Sequence, residues 1–389
     1  MRSPADIDRL DAEDPLRQAR AAFALPDGVI YLDGNSLGPP TKKALTRLRA
    51  TAEQEWGEGL IRSWNDAGWF DLPQTCGAKI ARLIGVDPGD VLVCDSVSVN
   101  LFKLAAALKN ATPGARLVID RAEFPTDVYM IESLAALLGP GDGPPILIKS
   151  AIDFRTAAIA DIDRIEGRTR AQGGVVVWDL SHAAGLLDLR LKARGARCAV
   201  GCGYKFLNGG PGAPAFVYVE RALADTLRQP LAGWMGHARP FDFRPDYAPA
   251  PGVRRFAAGT PQILSLAALD AALDAFDGAS MPDVETKARR LGDLFLEGVA
   301  ALGLPCLSPP SASRGGHVSL SHPQGYSVMQ ALIARGVIGD FRPPDLMRFG
   351  FSPLFLRYAD AARAASILED VLRSEQWRAP HFADRRTVT

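Results

Sequence analysis

The chain has 389 residues, and its Lys+Arg and Asp+Glu counts balance at 44 each. That balance excludes a strongly basic or acidic chain, and nothing suggests a stripe for a nucleic-acid backbone or a face for a lipid surface. No apolar stretch follows Arg2 and no run is long enough to span a bilayer, so neither signal peptide nor membrane anchor is expected, and the cytoplasm is the expected compartment.

This length exceeds the usual single domain, so two domains are expected. An N-terminal arm (1–60), helical over 6–24 and 41–58, is expected to pack on a small C-terminal domain (276–389), with 61–275 as the large domain. Apolar runs at 91–94, 117–119, 146–148, 175–178, 199–201 and 215–219 read as strands. Several are uninterrupted, as expected for strands covered on both faces. Amphipathic stretches at 99–108, 126–138 and 159–170 read as helices between them, with Thr126 and Asp127 as candidate caps of the second. The alternation predicts an α/β fold with a mostly parallel central sheet and helices on both faces. A Pro-rich aromatic stretch, 233–259, reads as a long ordered loop, and such loops in enzymes are commonly functional. Beyond it, a helix at 284–302, an alternating run at 317–322 and helices at 328–335 and 359–372 predict a small α+β domain. Five cysteines (Cys76, Cys94, Cys198, Cys202, Cys306) are scattered and odd in number. Cys198 and Cys202 lack a second pair or a His cluster, so they read as buried thiols and no metal is expected.

Two segments carry chemistry. Val177-Trp178-Asp179-Leu180-Ser181-His182 ends an apolar run with an aspartate and places a histidine three residues later. Gly203-Tyr204-Lys205-Phe206-Leu207-Asn208-Gly209-Gly210 sets a lysine between an aromatic residue and a glycine-rich turn. Alone, the aspartate reads as a cap or turn residue by roughly two to one, and the lysine as a solvated loop residue. Together they suit an aldehyde cofactor with a pyridine ring. Lys205 can form a Schiff base, and Asp179 can keep the ring nitrogen protonated so that the ring accepts electrons. That cofactor is pyridoxal 5′-phosphate, PLP.

Further segments fall in a recognisable order: Tyr31-Leu32-Asp33-Gly34-Asn35-Ser36-Leu37-Gly38-Pro39, Ser98-Val99-Asn100-Leu101, Glu123-Phe124-Pro125-Thr126-Asp127 and Gly233-Trp234-Met235-Gly236-His237. With the Asp179 and Lys205 segments, these resemble the kynureninase family, from about residue 28 to residue 360. The resemblance implies the PLP-dependent transferase fold of type I. It implies hydrolysis of the β,γ carbon–carbon bond of L-kynurenine to anthranilate and L-alanine, a step of tryptophan catabolism and NAD biosynthesis. By the same resemblance Lys205 would carry the cofactor and shuttle protons, with Tyr204 as a proton relay and phosphate donor. Asp179 would pair with the ring nitrogen and His182 would lie close by. Phe124 would stack on the ring, with Asp127 and Ser150 near it. Val97 and Ser98 would bind the phosphate at a helix N-terminus. Trp234 and Thr260 would reach the phosphate from the partner subunit of a homodimer with shared active sites. Arg348 would grip the substrate carboxylate, and Ser36 and Trp64 would lie near the substrate's aromatic end. The Trp64/Thr260 combination resembles members that prefer kynurenine to 3-hydroxykynurenine.

One stretch departs from the family pattern. Residues 139–174 are short by about one strand plus one helix, judged by typical element sizes, and the loss lies before Ser150. A sheet lacking an outer strand could hold the site, whereas one lacking an inner strand could not. Two rivals stand beside the main expectation. One is another enzyme of the same fold, such as a desulfurase or aminotransferase, although desulfurases stack a histidine where Phe124 stands. The other is a non-catalytic PLP-binding homologue.

Overall fold

The computed structural model describes residues 2–385. Helix α1 (Pro4–Ala12) starts at the Ser3 cap, whose hydroxyl accepts from the Asp6 amide. It stops well short of the expected residue 24, because Pro15 disfavours helical geometry at the residue before it, and a short 3₁₀ turn (Ala19–Ala22) follows instead. Strand β1 (Ile30–Tyr31) leads to α2 (Lys42–Ala50), which runs on as a π-helical turn, Thr51–Gly59. Helices α3 (Ser63–Asp66) and α4 (Leu72–Ile84) precede β2 (Val91–Val93) and α5 (Val97–Ala111). Next come β3 (Arg116–Ile119), α6 (Pro125–Leu138), β4 (Pro145–Ser150), α7 (Ile162–Ala171), β5 (Val175–Asp179), β6 (Cys198–Gly201) and β7 (Phe216–Val219). Helices α8 (Arg221–Ala224) and α9 (Ile263–Ala272) flank the irregular 233–259 region. Last are α10 (Met281–Val299), β8 (His317–Ser321), α11 (Gly325–Ala334), β9 (Val337–Ile338), β10 (Asp340–Arg342), β11 (Leu346–Gly350) and α12 (Tyr358–Arg373).

The central sheet has six strands in the order β2-β7-β6-β5-β4-β3, all parallel except β7, which is antiparallel to both neighbours. Its strands are apolar throughout because alternate side chains enter two different cores. Val91, Val93, Val176, Trp178, Phe216 and Tyr218 face one core, with α4 and α9. Leu92, Ile146, Ile148, Val177, Val200 and Val217 face the other, with α5 and α6. The first core continues into the C-terminal region, where α10, α11 and α12 cover the antiparallel sheet β10-β11-β8. The arm divides its contacts: α1 packs on α12, whereas α2 packs on α9. Between them, β1 pairs in parallel with β9, Ile30 opposite Val337, which fastens the arm to the C-terminal region.

Two local expectations change. Neither Thr126 nor Asp127 caps α6; Pro125 opens that helix without a side-chain cap, and Asp127 turns inward. Helix α7 starts at Ile162 and not near 159, because the Asp161 side chain caps it by accepting from the Arg164 amide.

The short 139–174 stretch takes α6 almost directly into β4, and β3 pairs with β4 from Arg116↔Pro145 to Ile119↔Ile148. Strand β3 therefore forms the sheet edge. Strands β4, β5 and β6, whose C-terminal ends lead to Ser150, Asp179 and Lys205, each keep a partner on both sides.

Candidate active site

The C-terminal ends of the parallel strands open into a cavity of about 690 Å³, the usual position for a ligand in such sheets. Asp179 ends β5 and is buried. One of its oxygens, Oδ1, accepts from the Ser181 amide at 2.9 Å and the Ser181 hydroxyl at 2.6 Å. Burial raises its pKa above the ordinary carboxylate range, against those bonds and the nearby Lys205. Lys205 lies in the turn after β6, its Nζ 3.0 Å from His182 Nε2. Burial, with Lys205 close by, pushes His182 well below its usual value, so the imidazole is neutral.

The arm fixes this turn from outside. The Gly38 amide donates to the Tyr204 carbonyl at 2.7 Å. A Cβ on Gly38 would lie 2.3 Å from the Lys205 carbonyl, so only glycine permits the approach. That contact accounts for the last glycine of the Asp33–Pro39 segment.

Helix α5 points its N-terminus at the cavity, with Ser96 as cap and Val97 and Ser98 on the wall. Phe124 stands on another wall, partly exposed, with Lys205 Nζ 5.8 Å from its ring centre. Asp127, Ser150 and Tyr204 also line the space. Burial, then the charges of Asp179 and Glu123, push Asp127 up to about 8. Its Oδ2, like His182 Nδ1, is buried with no hydrogen-bond partner. Such orphans are uncommon in native proteins and call for a polar ligand. PLP fits this set: a helix N-terminus for the phosphate, a carboxylate for a protonated ring nitrogen, a flat aromatic wall, and an amine for the aldehyde.

The remaining expected residues fall in two other places. Ser36 and Arg348 belong to one buried cluster with Asp340, beside the cavity wall at Phe154. Ser36 is thus placed with Arg348. Trp64 and Thr260 share a separate space of about 490 Å³ with Trp56 and Trp69, and Gln262 borders both this space and the main cavity. Trp234 is exposed, with Phe241 and Phe243 against it. Asp340 and Phe154 were not anticipated from the sequence. The one available signal for Asp340 was a charge standing between apolar neighbours in Ile338-Gly339-Asp340-Phe341.

The chain is 44% identical to a kynureninase of Burkholderia pseudomallei (strain 1106a) over 407 residues, covering 98% of each protein. It belongs to the kynureninase family. A kynureninase of Pseudomonas fluorescens is 43% identical over the same extent, and residues 284–368 match the model of the kynureninase C-terminal domain. The matched stretch is longer than this chain, so these kynureninases carry residues that it lacks, in keeping with the short 139–174 segment. Among solved structures, the apo cysteine desulfurase of Thermococcus onnurineus NA1 superposes with a TM-score of 0.77 at 18% identity, over 96% of this chain and 99% of the other. A C-DES variant with glycine covalently linked to its PLP cofactor gives a TM-score of 0.79 at 18% identity, over 90% of this chain and 99% of that one. The fold is that of the PLP-dependent fold-type-I enzymes.

Proposed function

We propose that this chain is a kynureninase that uses PLP at Lys205 to hydrolyse L-kynurenine to anthranilate and L-alanine. The observation that carries the proposal is the meeting of Lys205, His182, Asp179 and the α5 N-terminus at one cavity, in a chain of this family. When bound, PLP supplies an electron sink conjugated to the substrate's α carbon. The chain's own groups do the rest. Amides at Val97 and Ser98 hold the phosphate. Asp179 holds the proton of the ring nitrogen, and that cation offsets the burial that otherwise raises the carboxyl. Lys205 Nζ takes the α proton and returns it elsewhere. Neutral His182, 3.0 Å away, accepts a hydrogen bond from Lys205 and orients its amine. Burial keeps the Tyr204 hydroxyl above its ordinary range, so it stays protonated and can donate to the phosphate and relay a proton. Arg348 holds the substrate carboxylate.

A homodimer in the cytoplasm belongs to this reading. All five cysteines are unpaired and four are buried, which suits a reducing compartment. Trp56, Leu60, Ile61, Phe241 and Phe243 are exposed large apolar side chains near Trp64 and Trp234, and apolar patches of this kind mark interfaces. Across such an interface Trp64, Thr260 and Trp234 would complete the partner's cavity. A desulfurase reading needs a reactive thiol. Cys202 lines the cavity, but burial raises its thiol above the ordinary range, and a thiol so shifted is a poor nucleophile.

The cofactor assignment is tested by borohydride reduction of the purified protein followed by peptide mapping. PLP should be fixed to the peptide containing Lys205, and labelling of another lysine would overturn the assignment.

A further inference from the structure

Arg348 is a buried residue whose guanidinium is held from several sides. Its Nε donates to Asp340 Oδ1 at 2.8 Å, and its Nη2 donates to Asp340 Oδ2. That is a side-on, two-point grip. Nη1 donates to the Phe154 carbonyl at 2.6 Å, and Nη2 reaches the Ser36 hydroxyl at a long 3.4 Å. The Ser36 hydroxyl in turn donates to Asp340 Oδ2 at 2.9 Å. Arg342 pairs with the same oxygen at 2.8 Å.

The two edges of the guanidinium therefore differ. The Nε/Nη2 edge is saturated by a carboxylate. The Nη1/Nη2 edge meets neutral oxygens, from Phe154, which lines the main cavity, and from Ser36. An incoming carboxylate gains little by competing with Asp340 and much by replacing those neutral oxygens. The local charge favours it as well. Two arginines, Arg342 and Arg348, stand against Asp340, while burial and the charge of Asp340 push the neighbouring Asp33 up to about 7.

We infer that Asp340 is a positioning residue for substrate recognition, which clamps one edge of Arg348 so that the Nη1/Nη2 edge is presented to the substrate's carboxylate. Ser36 holds that edge until the carboxylate arrives. The inference rests on the reading that Arg348 binds the carboxylate.

The test uses the PLP-loaded enzyme, its cofactor absorbance titrated with L-alanine and with ethylamine, which is alanine without the carboxylate. In Asp340→Asn the affinity for L-alanine should fall by about 10- to 100-fold, the range for a misplaced positioning group. Affinity for ethylamine and for PLP itself should hold, kcat should change less than KM, and Asp340→Glu should recover part of the loss. Arg348→Ala should lose L-alanine in the same selective way. Equal weakening of both amines in Asp340→Asn would mark general damage and overturn the inference. Unchanged L-alanine affinity in Asp340→Asn, with loss in Arg348→Ala, would overturn it while leaving the role of Arg348 intact. Unchanged affinity in Arg348→Ala would remove the underlying reading, and the inference with it.

Discussion

Asp127 shows how far a single residue departs from its sequence environment. Its position near the start of α6 suggests a helix cap, yet its carboxyl is buried beside Asp179 and Glu123 with one oxygen unpartnered. Its pKa is raised in the folded state, to about 8. The unfolded chain therefore releases this proton first as pH rises. Stability from this group is fully present below the ordinary carboxylate value and is lost as pH climbs from about 4 to about 8. In the cofactor-free protein, Asp127→Asn should raise Tm at pH 8, by about 2 °C, with the gap closing toward pH 5. Calorimetry at the two pH values checks this, and an equal gap at both would refute the shift. That Lys205 and Asp179 belong together was legible in the sequence because each stands out within a short segment of its own, and the fold brings both to one cavity. The Asp340–Arg348 pair was not, because its partners come from antiparallel strands β10 and β11 and from the arm. Register and long-range packing decide such contacts, and local pattern does not report them.

At the level of elements, the proposed phosphate end depends on how α5 is held. Asp95, just before that helix, adopts a left-handed φ of 50° and lines the cavity, a conformation that tertiary contacts must enforce. Fully buried Lys103 supplies them. Its Nζ lies 2.5 Å from Asp95 Oδ2 and 2.5 Å from the Phe256 carbonyl. Lys103→Met would leave the Asp95 charge uncompensated where the cofactor phosphate is proposed to bind. Affinity for PLP should then drop by about tenfold or more, since breaking a buried pair is strongly unfavourable. Adding Asp95→Asn should restore much of it. Equilibrium dialysis of PLP measures both variants, and no recovery in the double variant would make the role of Lys103 purely structural. The six strands of the central sheet and helices α5, α6 and α7 between them were legible from apolar runs and amphipathic spacing, to within a few residues, whereas α4 and α9 were not anticipated. In the arm, the helical expectation for 41–58 matches α2 and its π-helical continuation to Gly59, whereas that for 6–24 fails after Ala12, ahead of Pro15. The effect of the short 139–174 stretch could be read once pairing was known, because β3 and β4 meet directly and the site-bearing strands stay interior.

At the scale of the whole molecule, the exposed apolar side chains around the Trp64 space bear on assembly and on substrate choice. Ile61→Asp, at one of the most exposed of these positions, should shift sedimentation toward monomer and lower PLP retention on dilution. A variant that stays dimeric with full retention would place the interface elsewhere. If Trp64 and Thr260 meet the substrate's ring across that interface, a 3-hydroxyl there loses water without gaining a good partner. An unpaired buried hydroxyl costs about 1–3 kcal/mol, so L-kynurenine should show the higher kcat/KM. Steady-state kinetics on both substrates would reveal a reversed order.

The central claim is that this cavity cleaves kynurenine with Lys205 as its proton carrier. It is tested most directly by adding L-kynurenine to the PLP-loaded protein and following anthranilate fluorescence and L-alanine together. The parent protein should release equal amounts of both products, and Lys205→Ala should lose about three or more orders of magnitude in rate, from removing both the cofactor link and the proton carrier. No anthranilate from the loaded parent, or undiminished release from Lys205→Ala, would contradict it.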